Sequence, residues 1–188
     1  MLCLRAVNAL VFPAGIKFGD DFRYLANHGM MGTDFDSCCH NWATQGLNYY
    51  IAAKLHWDPQ QDVDALVEDY CRVGFGPAAK SIRRYFGGLE ALLDETATKK
   101  EKVVSVFTAK ALSGLRNELE QAAKDAQNDT LVSQRIEFLE LGLRWTEIEV
   151  RAHGHLADVP KAEKQAAKRT LDERYDLMQE ILRSYRSP

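Results

Sequence analysis

Only four cysteines occur in the 188 residues, and Cys3, Cys38, Cys39 and Cys71 form neither a C-x-x-C pair nor a zinc-finger spacing. A metal knuckle and a disulfide scaffold are therefore not indicated, and the redox compartment stays open. Basic residues are in no excess, since 24 Lys and Arg stand against 27 Asp and Glu for a formal charge of −3. The footprint of a nucleic-acid or anionic-membrane binder is missing, so neither partner is expected. No apolar run reaches the roughly 18 residues of a membrane span. Met1 to Ile16 is apolar, but Arg5 and Asn8 interrupt it and no small-residue cleavage site follows, so it is read as structure rather than a signal peptide. Localisation is left open. No Gly-rich phosphate loop, nucleotide fingerprint or G-x-S-x-G elbow occurs, which leaves nucleotide chemistry and cofactors unsupported. Length is a limit as well. A complete eight-fold β/α barrel needs on the order of 250 residues, so this chain can hold only part of one.

What the chain does have is unevenly distributed. Residues 1–60 carry nine of the 18 aromatics, three of the four cysteines and three of the five histidines, yet only nine of the 51 charged side chains. A low-charge aromatic opening followed by a charged, helix-patterned remainder predicts two parts of different character, residues 1–59 and 60–188, joined at Asp58-Pro59.

The first part reads as mixed α/β. Leu10 to Phe12 is a short apolar run fit for a strand end. Asp20 or Asp21 can cap a helix through Asn27 that buries Phe22, Leu25 and Ala26, with Gly29 as its stop. Met30 to Phe35 reads as a short buried strand opening into a polar loop, Asp36 to Asn41. Thr44 can cap a helix carrying Leu47, Tyr50, Ile51 and Leu55.

Beyond Pro59 the pattern is helical. One helix spans about Asp62 to Arg72, burying Val63, Leu66, Val67 and Tyr70, with Gly74 as its stop. Gly76-Pro77 starts a second, with Ile82, Tyr85, Phe86, Leu89, Leu92 and Leu93, which Gly87-Gly88 can kink. A third runs from Val103 or Thr108 to Ala126 with Leu112, Leu115, Leu119 and Ala122. A fourth spans Thr130 to about Arg151 with Val132, Ile136, Leu139, Leu143 and Val150. His153-Gly154-His155 reads as a surface break, and Pro160 starts a last helix. Five amphipathic helices on short connections predict a bundle, and the fold class expected is mainly α with a short α/β segment in front.

The chemistry-bearing residues concentrate in Gly32 to Trp42, within an otherwise uncharged stretch. Asp34 and Asp36 alternate in an extended chain, so both can face one side as an acid/base pair or as a grip on sugar hydroxyls. The plainer reading, one carboxylate capping and the other solvated, is favoured by composition alone. Cys38, Cys39 and His40 are ligand types for zinc or copper, but three consecutive side chains rarely converge on one ion, so no metal site is expected. A Cys-His nucleophile is disfavoured because neighbouring positions on an extended chain point to opposite faces. Trp42, Tyr49, Tyr50 and Trp57 form an aromatic cluster, in which Tyr50 reads as core and Trp42, ahead of the helix, as a ligand wall.

Asn41-Trp42, the paired Tyr49-Tyr50, Leu55-His56-Trp57-Asp58-Pro59, Asp62-Val63-Asp64 and Gly74-Phe75-Gly76-Pro77 together resemble a bacterial family, the domain of unknown function 4838, found in glycoside-hydrolase-like proteins. The same order is similar to the end of the barrel in α-glucuronidases, where the last barrel helix leads into a C-terminal helical domain. The resemblance implies that residues 1–59 correspond to the last strands and helices of a TIM barrel and 60–188 to the helical domain. It also raises Asp34, Asp36, His40 and Trp42 as substrate contacts at the top of a late strand. No stretch matches the carboxylates of the earlier strands, so no catalytic residue is assigned. The function expected is the C-terminal portion of a carbohydrate-active protein without catalysis of its own. The alternatives are a helical assembly module or a sugar-binding module, and the partners expected are a carbohydrate and either a second copy or a missing N-terminal barrel segment.

Overall fold

A computed structural model describes residues 15–32, 42–99, 103–127 and 129–156, together with positions 176 and 180. The described residues form six α-helices: α1 Gly15–Asn27, α2 Trp42–Trp57, α3 Val63–Phe75, α4 Ala79–Lys99, α5 Ala109–Asp125 and α6 Thr130–Leu156. Single 3-10 turns at Gly76–Ala78 and Val103–Val106 lead into α4 and α5. The protein is mainly helical, with no strand among the described residues.

Local chemistry sets the helix ends. Asp62 accepts from the Ala65 N–H at 3.2 Å, Thr108 from Ala111 at 3.2 Å and Asp129 from Val132 at 3.0 Å, which satisfies donors that the first helical turn leaves free. At the end of α1, Gly29 takes φ +86°, and the Met30 N–H reaches back to the Leu25 carbonyl at 3.0 Å. This is a glycine-terminated Schellman closure. Between α2 and α3, Asp58 accepts from the Gln60 N–H at 3.0 Å and shapes the turn that contains Pro59.

One hydrophobic core takes a stripe from every helix. Phe22 of α1 and Ile51 and Leu55 of α2 join Leu66, Cys71 and Phe75 of α3 and Ile82, Tyr85 and Leu89 of α4. Leu115 and Leu119 of α5 and Ile136 and Leu143 of α6 complete it. The three- and four-residue spacing of each set puts it on one helix face, so burial against neighbouring stripes is the main stabilising term. Arg83 bridges α4 to Asp64 and Glu68 of α3 at 3.2 Å each, and Arg84 bridges α4 to Glu118 of α5 at 2.8 Å. Such exposed pairs contribute about 0–1 kcal/mol apiece and act mainly on register. The Tyr85 hydroxyl is the one buried side-chain polar atom without a hydrogen bond among the described residues.

Several expectations need correction. Helix α1 begins at Gly15, so Asp20 lies inside it, paired with Arg23 at 2.8 Å, and caps nothing. Thr44 is likewise inside α2, which Trp42 opens. Gly74 does not stop α3. Phe75 is buried and helical, and the stop falls at Gly76, whose φ of +45° suits glycine and whose N–H bonds the Arg72 carbonyl. Gly87-Gly88 lies within an uninterrupted α4. The break expected at His153-Gly154-His155 is absent, because α6 continues to Leu156; one glycine costs a helix only about 1 kcal/mol. Leu25 is 41% exposed rather than buried. Met30 to Gly32 follow the α1 closure without forming a strand, while Leu10 to Phe12, residues 33–35 and most of the last expected helix lie outside the described residues.

Candidate functional site

Helices α2 and α6 pack together and leave a groove beside their contact. Gly142 of α6 packs so tightly on α2 that a Cβ there would lie 2.3 Å from the Ala43 carbonyl oxygen. Next to this contact is a cavity of about 940 Å³, within the range of small-molecule sites. Its α2 wall is Trp42, Gly46, Tyr49, Tyr50 and Ala53, a helical stripe. Its α6 wall is another, with Leu131, Gln134, Arg135 and Phe138, and the end of α3 contributes Tyr70, Gly74 and Phe75.

Each aromatic is held by neighbours. Trp42 meets Tyr49 in a T-shaped pair with centroids 4.9 Å apart, yet remains 45% exposed, so the indole is positioned and still open. Tyr70 sits among Tyr50, Phe75 and Phe86, at 5.3, 5.9 and 6.0 Å between centroids. The Tyr70 hydroxyl lies beside Gly46, where an added Cβ would meet it at an ordinary 3.5 Å. Burial pushes the Tyr70 phenol up to about 12, so it stays protonated.

The polar groups divide into used and unused. Arg135 donates to the Gly74 carbonyl at 2.6 Å, which ties α6 to the end of α3. Tyr50 donates to Asp69 at 2.9 Å, and Arg72 donates to the same carboxylate at 2.5 Å. The Tyr50 and Arg72 hydrogen bonds hold Asp69 below its ordinary range, while desolvation and then the Asp69 contact raise Tyr50. Lys54 lies over the Tyr50 ring at 5.4 Å.

A second cavity, of about 670 Å³, lies between α5 and α6 and includes Glu120, Glu137, Glu140, Glu147 and Glu180 beside Arg116 and Arg144. Burial and then repulsion from Glu137 and Glu120 raise the Glu140 carboxyl. Arg116 pairs with Glu147, and Arg144 pairs with Glu180 at 3.0 Å, so two of the acids are neutralised. No group of His, Cys, Asp and Glu suited to a metal ion occurs among the described residues. Cys71 is an inert thiol, pushed up to about 12 chiefly by burial.

Of the residues singled out from sequence, Trp42 lies on the rim of the larger groove, and Asp34, Asp36 and His40 lie outside the described residues. Tyr50, expected in the core, is half-buried and lines the groove. Sequence reading did not single out Gln134, Arg135, Glu137 or Phe138. The available signal was a second apolar stripe on α6, Leu131, Phe138 and Leu141, beside the core stripe of Val132, Ile136, Leu139 and Leu143. No helix among the described residues is long and apolar enough to cross a membrane.

No curated protein and no solved structure matches the chain. Residues 6–87 match the family described as Domain of unknown function (DUF4838), a stretch that includes α1, α2, α3 and the first part of α4. The matched stretch includes the Trp42 and Tyr49 wall of the groove.

Proposed function

We propose that the chain is the helical C-terminal portion of a glycoside-hydrolase-like, carbohydrate-active protein, without catalysis of its own, and that residues 1–59 correspond to the end of its barrel. The observation that carries this reading is the family match over residues 6–87, which contains the motif from Asn41 to Pro59. Glycoside hydrolysis needs a carboxylic acid for the leaving oxygen and a second carboxylate for water or the sugar. The carboxylates gathered at a cavity among the described residues share it with Arg116 and Arg144, and Glu147 and Glu180 are ion-paired. Such pairing favours the ionised form of Glu147 and Glu180, and of the cavity's carboxyls Glu140, raised by burial, is the one shifted toward a proton donor. The purified chain is expected to release no nitrophenol from aryl glycosides above the buffer blank. Turnover that disappears in Asp34→Asn or Asp36→Asn would overturn the reading.

A second reading, self-association, is favoured by exposed apolar side chains. Trp57 is 92% exposed at the end of α2, and Met31, Tyr24 and Leu25 are exposed at and after the end of α1. Phe22, within α1, packs on His56 near the end of α2 at 4.7 Å between centroids. Large exposed apolar side chains favour association. Light scattering is expected to give a dimer or larger species that Trp57→Ser shifts toward monomer, and a monodisperse monomer at high concentration would count against it.

A further inference from the structure

Helix α6 carries two apolar stripes, and only the first faces the core. Val132, Ile136, Leu139 and Leu143 lie in the core, whereas Phe138, Leu141, Trp145 and Ile148, spaced three, four and three apart, form a second stripe outside it. At about 100° per residue, Ile148 points roughly 150° away from the middle of the first stripe. It is nevertheless only 2% exposed. In a single chain this burial requires a cover from the chain itself, on the side of α6 that the core does not occupy. Glu180 reaches that side, because it pairs with Arg144 at 3.0 Å, and Arg144 stands one residue from Trp145 and one turn from Ile148. Positions 176 and 180 are both helical and exposed.

We infer that the outer stripe of α6 is a docking surface for residues 171–186 of the same chain, which lie on it as an antiparallel helix set in register by the Glu180–Arg144 pair. Leu177, Met178, Ile181 and Tyr185 recur on one face of that segment and Glu180 flanks it, so the apolar face and the charged edge meet their counterparts together. Both partners of the ion pair are about half exposed, so the pair selects the register and apolar burial supplies the attraction. The direction follows from length. Arg144 lies twelve residues before the end of α6, about 18 Å along its axis, and the 23 residues between Leu156 and Glu180 suffice to turn and come back that far. With Glu180 opposite Arg144, Leu177 and Met178 fall at the level of Trp145 and Ile148, and Ile181 and Tyr185 fall toward Leu141 and Phe138. A second copy of the chain is the poorer occupant, because Ile148 is already covered and Arg144 already paired within one chain. The inference goes beyond the reading of the chain as part of a hydrolase-like protein and does not depend on it.

Leu177→Asp combined with Ile181→Asp tests the inference in a full chain that also carries Trp42→Phe and Trp57→Phe, which leaves Trp145 as the reporting indole. Undocking is expected to shift the Trp145 emission to the red, make it more readily quenched by acrylamide and lower the unfolding temperature by roughly 4–10 °C. Asp176→Ala, at an exposed position, is the control that should change none of these. Unaltered emission and unfolding temperature in the folded double variant would overturn the proposal. If the double variant does not fold, Arg144→Lys decides, since it keeps the charge at an exposed position and supplies an amine. Carbodiimide is then expected to join position 144 to Glu180 within the monomer, as read by peptide mass spectrometry, and absence of that link would also overturn the proposal. None of these results bears on whether aryl glycosides are cleaved, so the two readings fail separately.

Discussion

Gly142→Ala is expected to destabilise the protein by about 3 kcal/mol, even though alanine ordinarily stabilises a helix interior over glycine by about 1 kcal/mol. The reversal comes from the α2–α6 crossing. An added Cβ would sit 2.3 Å from the Ala43 carbonyl oxygen and 2.9 Å from its carbonyl carbon, and these are backbone atoms that cannot rotate away. Either α6 moves off α2 or both helices bend, and each response disturbs Leu143 and Leu47 in the core. Gly114→Ala on α5 is the control, since nothing lies within 4 Å of the new methyl group there. It should raise stability by about 0.5–1 kcal/mol. Urea unfolding of the two variants measures both signs. A neutral or stabilising Gly142→Ala would mean that the helices do not cross in this close contact. Because the crossing flanks the groove, Gly142→Ala should also weaken any ligand bound there.

Ile51→Ala is expected to cost about 2–5 kcal/mol, the range for removing a large aliphatic side chain from a closed interior. Ile51 has no exposed surface, and α2 packs against α1, α3 and α6. The informative part is the shape of the unfolding curve. Ile51 precedes the charge boundary near residue 60, while the core it joins continues through α3, α4, α5 and α6. One cooperative unit predicts that the whole transition shifts, with circular dichroism and tryptophan fluorescence still coincident. Two separate transitions, with only the first displaced, would show that the helices before and after Pro59 are stabilised independently.

The helix faces were legible because burial repeats every three or four residues. Val63, Leu66 and Val67 on α3, Ile82, Tyr85, Phe86 and Leu89 on α4, and Leu115, Leu119 and Ala122 on α5 are buried as their spacing predicts. Boundaries were less legible. Gly74 and Gly76 are equally plausible stops by composition, and the choice depends on Phe75 being held in the core, a long-range fact. The glycine between His153 and His155 misleads for a related reason: a long helix tolerates one poor helix former when the turns around it continue.

Trp42 could be recognised as a candidate wall from its place beside Tyr49 and Tyr50, since a local cluster is visible in one dimension. Gln134, Arg135 and Glu137 could not, because polar residues on a helix read as solvated surface unless something is known to face them.

The sequence alone determines that the protein is mainly helical and which faces of α3 to α6 are buried, because these follow from periodicity, while the start of α5, left between Val103 and Thr108, is set by the Thr108 cap. It also carries the family's motif. Only the tertiary structure decides that Trp42, Tyr70 and Arg135, far apart along the chain, share one groove. That outcome depends on how α2 and α6 cross, and the crossing depends on a glycine whose missing side chain is visible only against the backbone it touches.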